Sequence, residues 1–261
     1  MDLGIVSKVA LVTAATRGLG RACAQVLVAE GARVAVAGRD LAALDRLVTE
    51  LDNDSDSVMS VPMDLSDATQ IRRAVGMVED RWGPVEILVA NAPGPPSGPV
   101  EEISIDQWRS AFDMNVLSMV ELLHSVLPGM RRRNWGRIVF VTTIGVKTAQ
   151  PQMVLSNATR LALLGLAKTL SLEVAECDIL VNAVAPGPIA TDRMDELIDQ
   201  TAARGDISKE QALALWTDEV PLGRMGRPLD VASVVALLCS EACTFVTGAV
   251  IPVDGGKAHG Y

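Results

Sequence analysis

Short runs of β-branched and aliphatic residues alternate along the chain with longer stretches whose apolar positions recur at helical spacing. The runs Val9–Thr13, Arg33–Ala37, Val58–Pro62, Ile87–Ala90, Arg137–Thr142, Ile179–Val184 and Val250–Val253 predict seven strands. Most are continuously apolar rather than alternating, which suits strands buried on both faces of a parallel sheet. Between them, Gly18–Glu30, Asp40–Asp52, Asp67–Trp82, Asp106–Arg133, Met153–Glu176 and Asp230–Ser240 predict helices. A βαβα alternation with no Pro/Ser-rich linker and no repeat predicts one doubly wound α/β domain over residues 1–261.

The rhythm breaks once, between about Thr191 and Val220. Ser208–Gln211 reads as a capping box opening a helix that runs to about Trp216. An insertion after the sixth strand, on the carboxyl edge of the sheet, is where a substrate lid sits. The plainer reading is a surface helical hairpin. The Pro93–Pro99 cluster directly follows the fourth strand and reads as a rigid active-site loop.

Composition narrows the functions. The 261 residues carry 23 Lys+Arg against 32 Asp+Glu, a net charge of −9 that repels phosphate backbones, so nucleic acid is not the expected partner. No apolar run is long enough to span a membrane, and Met1–Gly4 opens no signal-peptide pattern. Cys23, Cys177, Cys239 and Cys243 look unpaired, which predicts a reducing, cytoplasmic setting. Cys239 and Cys243 stand at helical i, i+4 spacing, yet two thiols make no zinc site, and no metal is expected. The one Tyr is Tyr261, so a mechanism needing a core phenol is already in difficulty.

The segment Thr13–Gly20 follows the first strand and opens the first helix. Gly18 and Gly20, flanking Leu19, let backbone approach a pyrophosphate, and the helix N-terminus offers N–H groups to it. Gly38 stands at the end of the second strand, where a bare ribose would call for a carboxylate, and Arg39 follows. With Arg17 in the turn, two guanidinium groups are available for a 2′-phosphate, so NADP(H) is expected over NAD(H).

Together these residues resemble the short-chain dehydrogenase/reductase family over nearly the whole chain. Thr13–Gly20 is similar to its Thr-Gly-xxx-Gly-x-Gly turn, with Ala14 in place of the first glycine. Asp64, followed by Leu65, resembles the acidic residue that binds adenine. Asn91-Ala92 resembles the Asn-Asn-Ala-Gly motif, with Ala90 for one Asn. Asn115 matches the structural and catalytic Asn of the long fourth helix. Pro186-Gly187-Pro188-Ile189 through Thr191 resembles the loop that holds the nicotinamide end. The stretches Pro221–Pro228 and Thr247–Gly256 resemble those of 3-oxoacyl-carrier-protein reductases. The resemblance implies a single Rossmann-type domain with a seven-stranded parallel sheet and helices on both faces. It also implies a dimer or tetramer formed through the two long helices, acting on a small or acyl-linked substrate.

One departure carries the chemistry. The family's Ser, Tyr and Lys align with Thr143, Ser156 and Arg160, as in an atypical ketoacyl-reductase-like subgroup. A phenol has a pKa of about 10, which a neighbouring Lys lowers into working range. Ser156 is a far weaker acid and ends roughly 4 Å short of a Tyr oxygen. Arg160 keeps the charge and can fork onto a ribose, but it cannot relay a proton. Three readings follow: a reductase whose protons travel through water, Thr143, Ser156 and Asn115; non-redox chemistry in an enlarged pocket; or a silent dinucleotide sensor. Lys147 is a solvated loop charge or a substitute base. His124 reads as a packed or interface residue, and His259 lies in the tail.

Overall fold

The computed structural model describes residues 1–51 and 56–259. The predicted helix end at Asp52 and the single Tyr261 lie outside the described residues. Seven strands form one all-parallel sheet in the order β3-β2-β1-β4-β5-β6-β7. They are β1 (Val9–Val12), β2 (Arg33–Gly38), β3 (Val58–Pro62), β4 (Ile87–Ala90), β5 (Gly136–Val141), β6 (Ile179–Pro186) and β7 (Val250–Val253). The continuously apolar segments have the burial the pattern requires: every residue of β1, β4, β5 and β6 is buried.

Helices cover both faces. On one side α3 (Ala68–Trp82), α5 (Ser118–Arg133) and α6 (Val154–Glu173) close over Leu11, Leu88, Ile138, Phe140 and Val181. On the other, α1 (Gly18–Ala29), α2 (Leu41–Leu51) and α9 (Pro228–Leu238) close over Val12, Val34, Val89, Val139 and Val184. Strand order reverses between β1 and β4, so their carboxyl ends part and leave a crevice, where open α/β sheets bind ligands.

The structure corrects the predicted elements at four points. The fourth helix is not continuous: α4 (Ile105–Phe112) is joined to α5 by a π-helical turn, Asp113–Leu117. Inside the turn Asn115 Nδ2 donates to the Ala111 carbonyl at 3.1 Å, and Ser118 donates to the Met114 carbonyl at 2.5 Å. Such side-chain bonds to the preceding turn compete with the backbone ladder and favour a bulge. The fifth predicted helix ends at Glu173 and passes into a 3₁₀ turn, Ala175–Cys177. The insertion is two helices, α7 (Asp192–Gly205) and α8 (Lys209–Thr217), the second opened by the expected Ser208–Gln211 capping box. Cys239 caps the C-terminus of α9, so Cys239 and Cys243 do not share a helical face. Among the described residues no helix is long and apolar enough to cross a membrane, and no group of ligands could hold a metal.

Candidate active site

The carboxyl ends of β1 and β4 are tied by one side chain. The Thr13 hydroxyl donates to the Asn91 carbonyl at 2.5 Å and accepts the Asn91 N–H at 2.9 Å. Thr13 is fully buried. It therefore positions Asn91 at the junction of the two strands and is not part of the cavity lining. Next to it Ala14 takes a left-handed conformation, φ +47°, at the place matched to the family's first glycine. Gly18 is also left-handed, φ +57°. Gly20 has no room for a side chain: a Cβ there would lie 2.4 Å from the Ala14 carbonyl oxygen and 2.9 Å from Asn91 Nδ2. Gly20 thus lets α1 pack closely against the turn.

A cavity of about 730 Å³ opens from this crevice along the carboxyl edge of the sheet. Arg17, Gly18, Leu19, Arg39, Asp64 and Leu65 line one end. Thr143, Ser156, Arg160, Pro186, Gly187 and Ile189 line the other, with Asn91, Ala92 and, facing Gly18, Thr191 between. The cavity fits a dinucleotide on three observations. The residue preceding α1, Arg17, makes no side-chain cap, and the first turn has no acidic residue, so the helix's leading N–H groups suit an anion. Arg39 is exposed at the end of β2, beside Gly38. Asp64 already accepts the Ser66 N–H at 2.9 Å and its hydroxyl at 2.7 Å, bonds that hold its carboxyl below the usual range and keep it an acceptor.

At the opposite end, Arg160 is held in place by backbone. Its Nη1 donates to the Val141 carbonyl at the end of β5, and its Nη2 to the Ala92 carbonyl beyond β4, each at 2.8 Å. No carboxylate among the described residues pairs with it. Burial pulls its pKa down to about 10, which leaves it charged at neutral pH. Ser156, one turn earlier on α6, is 7% exposed and lines the cavity. Thr143 caps the turn after β5, its hydroxyl oxygen accepting the Gly145 N–H at 3.3 Å. The lining contains no His, Lys, Cys or Tyr among the described residues.

Asn115 sits in the π-helical turn of the long helix, buried behind the wall; its Oδ1 has no hydrogen-bond partner among the described residues, and its neighbour Met114 lines the cavity. Lys147 is an exposed loop charge and His124 is exposed on α5, so neither enters the cavity. Sequence reasoning missed Thr142, which staples β5 to β6 through the Val184 carbonyl at 2.6 Å, and the contribution of α7. Asp192, Arg193, Met194 and Glu196 all line the cavity. Arg193 reaches across it to the Pro95 carbonyl at 2.8 Å. The capping threonine, Thr191, was the local signal that a helix starts there.

Known proteins share this arrangement. The pattern of the family described as enoyl-(acyl carrier protein) reductase matches residues 13–258. The chain is 34% identical to dehydrogenase/reductase SDR family member 4 of Sus scrofa, over 97% of this chain and 88% of that protein. It is 32% identical to a 3-oxoacyl-[acyl-carrier-protein] reductase of Aquifex aeolicus, over 98% and 99%. The solved structure of L-sorbose reductase from Gluconobacter frateurii, complexed with NADPH and L-sorbose, superposes with a TM-score of 0.94 at 28% identity, covering 100% of both chains. A glycine turn at the switch point of a seven-stranded parallel sheet, matched from end to end in these relatives, places the chain in the short-chain dehydrogenase/reductase family of oxidoreductases.

Proposed function

We propose that this protein is an NADP(H)-dependent oxidoreductase acting on a small or acyl-linked carbonyl or alcohol without a tyrosine proton donor. The observation that carries this reading is the shared cavity. Ser156 and the buried Arg160 stand in the same wall, opposite a phosphate turn that is otherwise complete. Thr143, Ser156 and Arg160 take the places of the family's Ser, Tyr and Lys. A bound nicotinamide supplies or accepts the hydride.

The chain's own residues do the rest. Arg160 spends two donors on strand-end carbonyls and has three more N–H groups for the nicotinamide ribose. Thr143 and Ser156 hydrogen-bond the substrate oxygen. Protons travel by water along these hydroxyls, with the unpaired Asn115 Oδ1 as an acceptor behind the wall. Arg39 and Arg17 favour a 2′-phosphate, and NADPH in the L-sorbose reductase structure supports that choice. The acyl-carrier-protein reductase among the relatives supports an acyl-linked ketone as one substrate class.

The test is direct. NADPH and NADH are titrated against the protein by quenching of Trp emission, and carbonyl compounds are then screened for NADPH oxidation. Tighter NADPH binding and carbonyl-dependent oxidation are expected. Binding of neither cofactor at millimolar concentration would end the reading. Turnover of a hydroxyacyl or enone compound with no change in cofactor would replace it with the non-redox one.

A further inference from the structure

The α7–α8 insertion, read as the substrate lid, meets the phosphate turn chiefly through ion pairs. Arg17 Nη1 lies 3.4 Å from Asp192 Oδ2 and 3.7 Å from Glu196 Oε1. Asp192 opens α7 and Glu196 follows one turn later, so both carboxylates face the turn. All three side chains line the dinucleotide cavity. Behind them, a Cβ added to Gly18 would lie 3.6 Å from the Thr191 methyl.

The lid's other attachments are of a different kind. Arg193 and Arg204 donate to the carbonyls of Pro95 and Ser97, and Ser97 donates to Gln200. Those bonds fix α7 to the loop after β4 whatever the cofactor's charge. Only the Arg17 contact lies where an incoming phosphate belongs. Arg17 is 65% exposed, so it can exchange one oxyanion for another without crossing a packed core.

We propose that Asp192 and Glu196 are specificity-determining residues of the dinucleotide site. They hold Arg17 in place of a cofactor phosphate in the free protein and release it when that phosphate arrives. Cofactor affinity and the hold on the first turn of the lid are then set by a single exchange of partners. The inference rests on the NADP(H) reading above. It adds that the lid's carboxylates compete with the ligand for one guanidinium, as well as repelling the ligand directly.

A double-mutant cycle separates competition from repulsion. NADPH and NADH are titrated against wild type, Asp192→Asn with Glu196→Gln, Arg17→Ala, and the triple variant, at low and high salt. Exposed ion pairs are weak, so the carboxylate variant is expected to bind NADPH about three- to ten-fold tighter at low salt. The gain should shrink as salt screens the pairs. It should vanish in the Arg17→Ala background. Unchanged or weaker binding by the carboxylate variant overturns the inference. So does the same gain with and without Arg17, which is repulsion alone. Wild type that binds neither dinucleotide brings down the functional reading and this inference together. Wild type that binds, with variants that do not differ, brings down only this one.

Discussion

Ala14 shows what a single backbone angle asks of a residue. Its φ of +47° lies in the region L residues avoid, at a cost of roughly 1–2 kcal/mol that a glycine would not carry. Glycine also has more freedom to lose from the unfolded chain, about 0.4–1 kcal/mol. The balance predicts that Ala14→Gly stabilises the fold by about 0.5–1 kcal/mol and raises Tm by roughly 1–4 °C, read by calorimetry. An unchanged or lower Tm would mean the Ala14 methyl packs well enough to offset the strain. The active-site substitutions make a second prediction. Thr143, Ser156 and Arg160 line one cavity, as their spacing from a strand end along a helix allows. Ser156→Tyr together with Arg160→Lys is expected to raise carbonyl reduction while lowering Tm, since one ammonium leaves the Val141 or Ala92 carbonyl unpaired. Lost activity on a substrate the native protein turns over would show that the open space beside Ser156 is itself the site. The full burial of Thr13 and Asn115 was not legible in the sequence, because it depends on three-dimensional packing rather than on residue type.

At the scale of elements, what could be read depended on how local the signal was. The Ser208 capping box closes within four residues and named α8 correctly. The strands followed from continuous apolar runs, because burial on both faces leaves no other pattern. The π-turn at Asp113–Leu117 was hidden, since periodicity barely changes when one turn widens. The Asp230 carboxylate at the start of α9 gives a pH prediction. Asp230 accepts the Arg227 N–H at 2.8 Å and the Arg227 guanidinium at 3.0 Å, with Arg224 at 3.3 Å. These bonds, the backbone one foremost, hold its pKa at about 2. A carboxyl lowered in the folded state adds stability above its unfolded pKa of about 3.9, and that stability is lost as pH falls through the folded value. Asp230→Asn is therefore expected to be less stable than wild type at neutral pH and to converge on it between about pH 4 and pH 2. Denaturant midpoints at a series of pH values check this, and a constant gap down to pH 2 would refute it.

At the scale of the whole molecule, the outer face of α6 exposes leucines that do not suit solvent. On α6, Leu161 and Leu172 are 55% and 72% exposed. Gly165, between them, would carry a Cβ into open space. The interval from Leu161 through Gly165 and Lys168 to Leu172 follows the i, i+4, i+7, i+11 series, so these residues form one stripe. Leu117, before α5, is 57% exposed and begins a similar stripe with Glu121, exposed His124 and Pro128. The core cannot claim these leucines, because the inner stripe of α6 is already filled by Leu163, Ala167 and Leu170. Two neighbouring helices with exposed leucines on their outer stripes suit a second copy of the same face, since an isologous contact needs self-complementary surfaces. The protein is therefore expected to elute as a dimer or tetramer, and Leu161→Glu with Leu172→Glu should shift it toward monomer by placing like charges across the axis. Sedimentation at several concentrations reads the outcome. A wild-type monomer at tens of micromolar, or an assembly indifferent to both glutamates, would show that this face is not where copies meet.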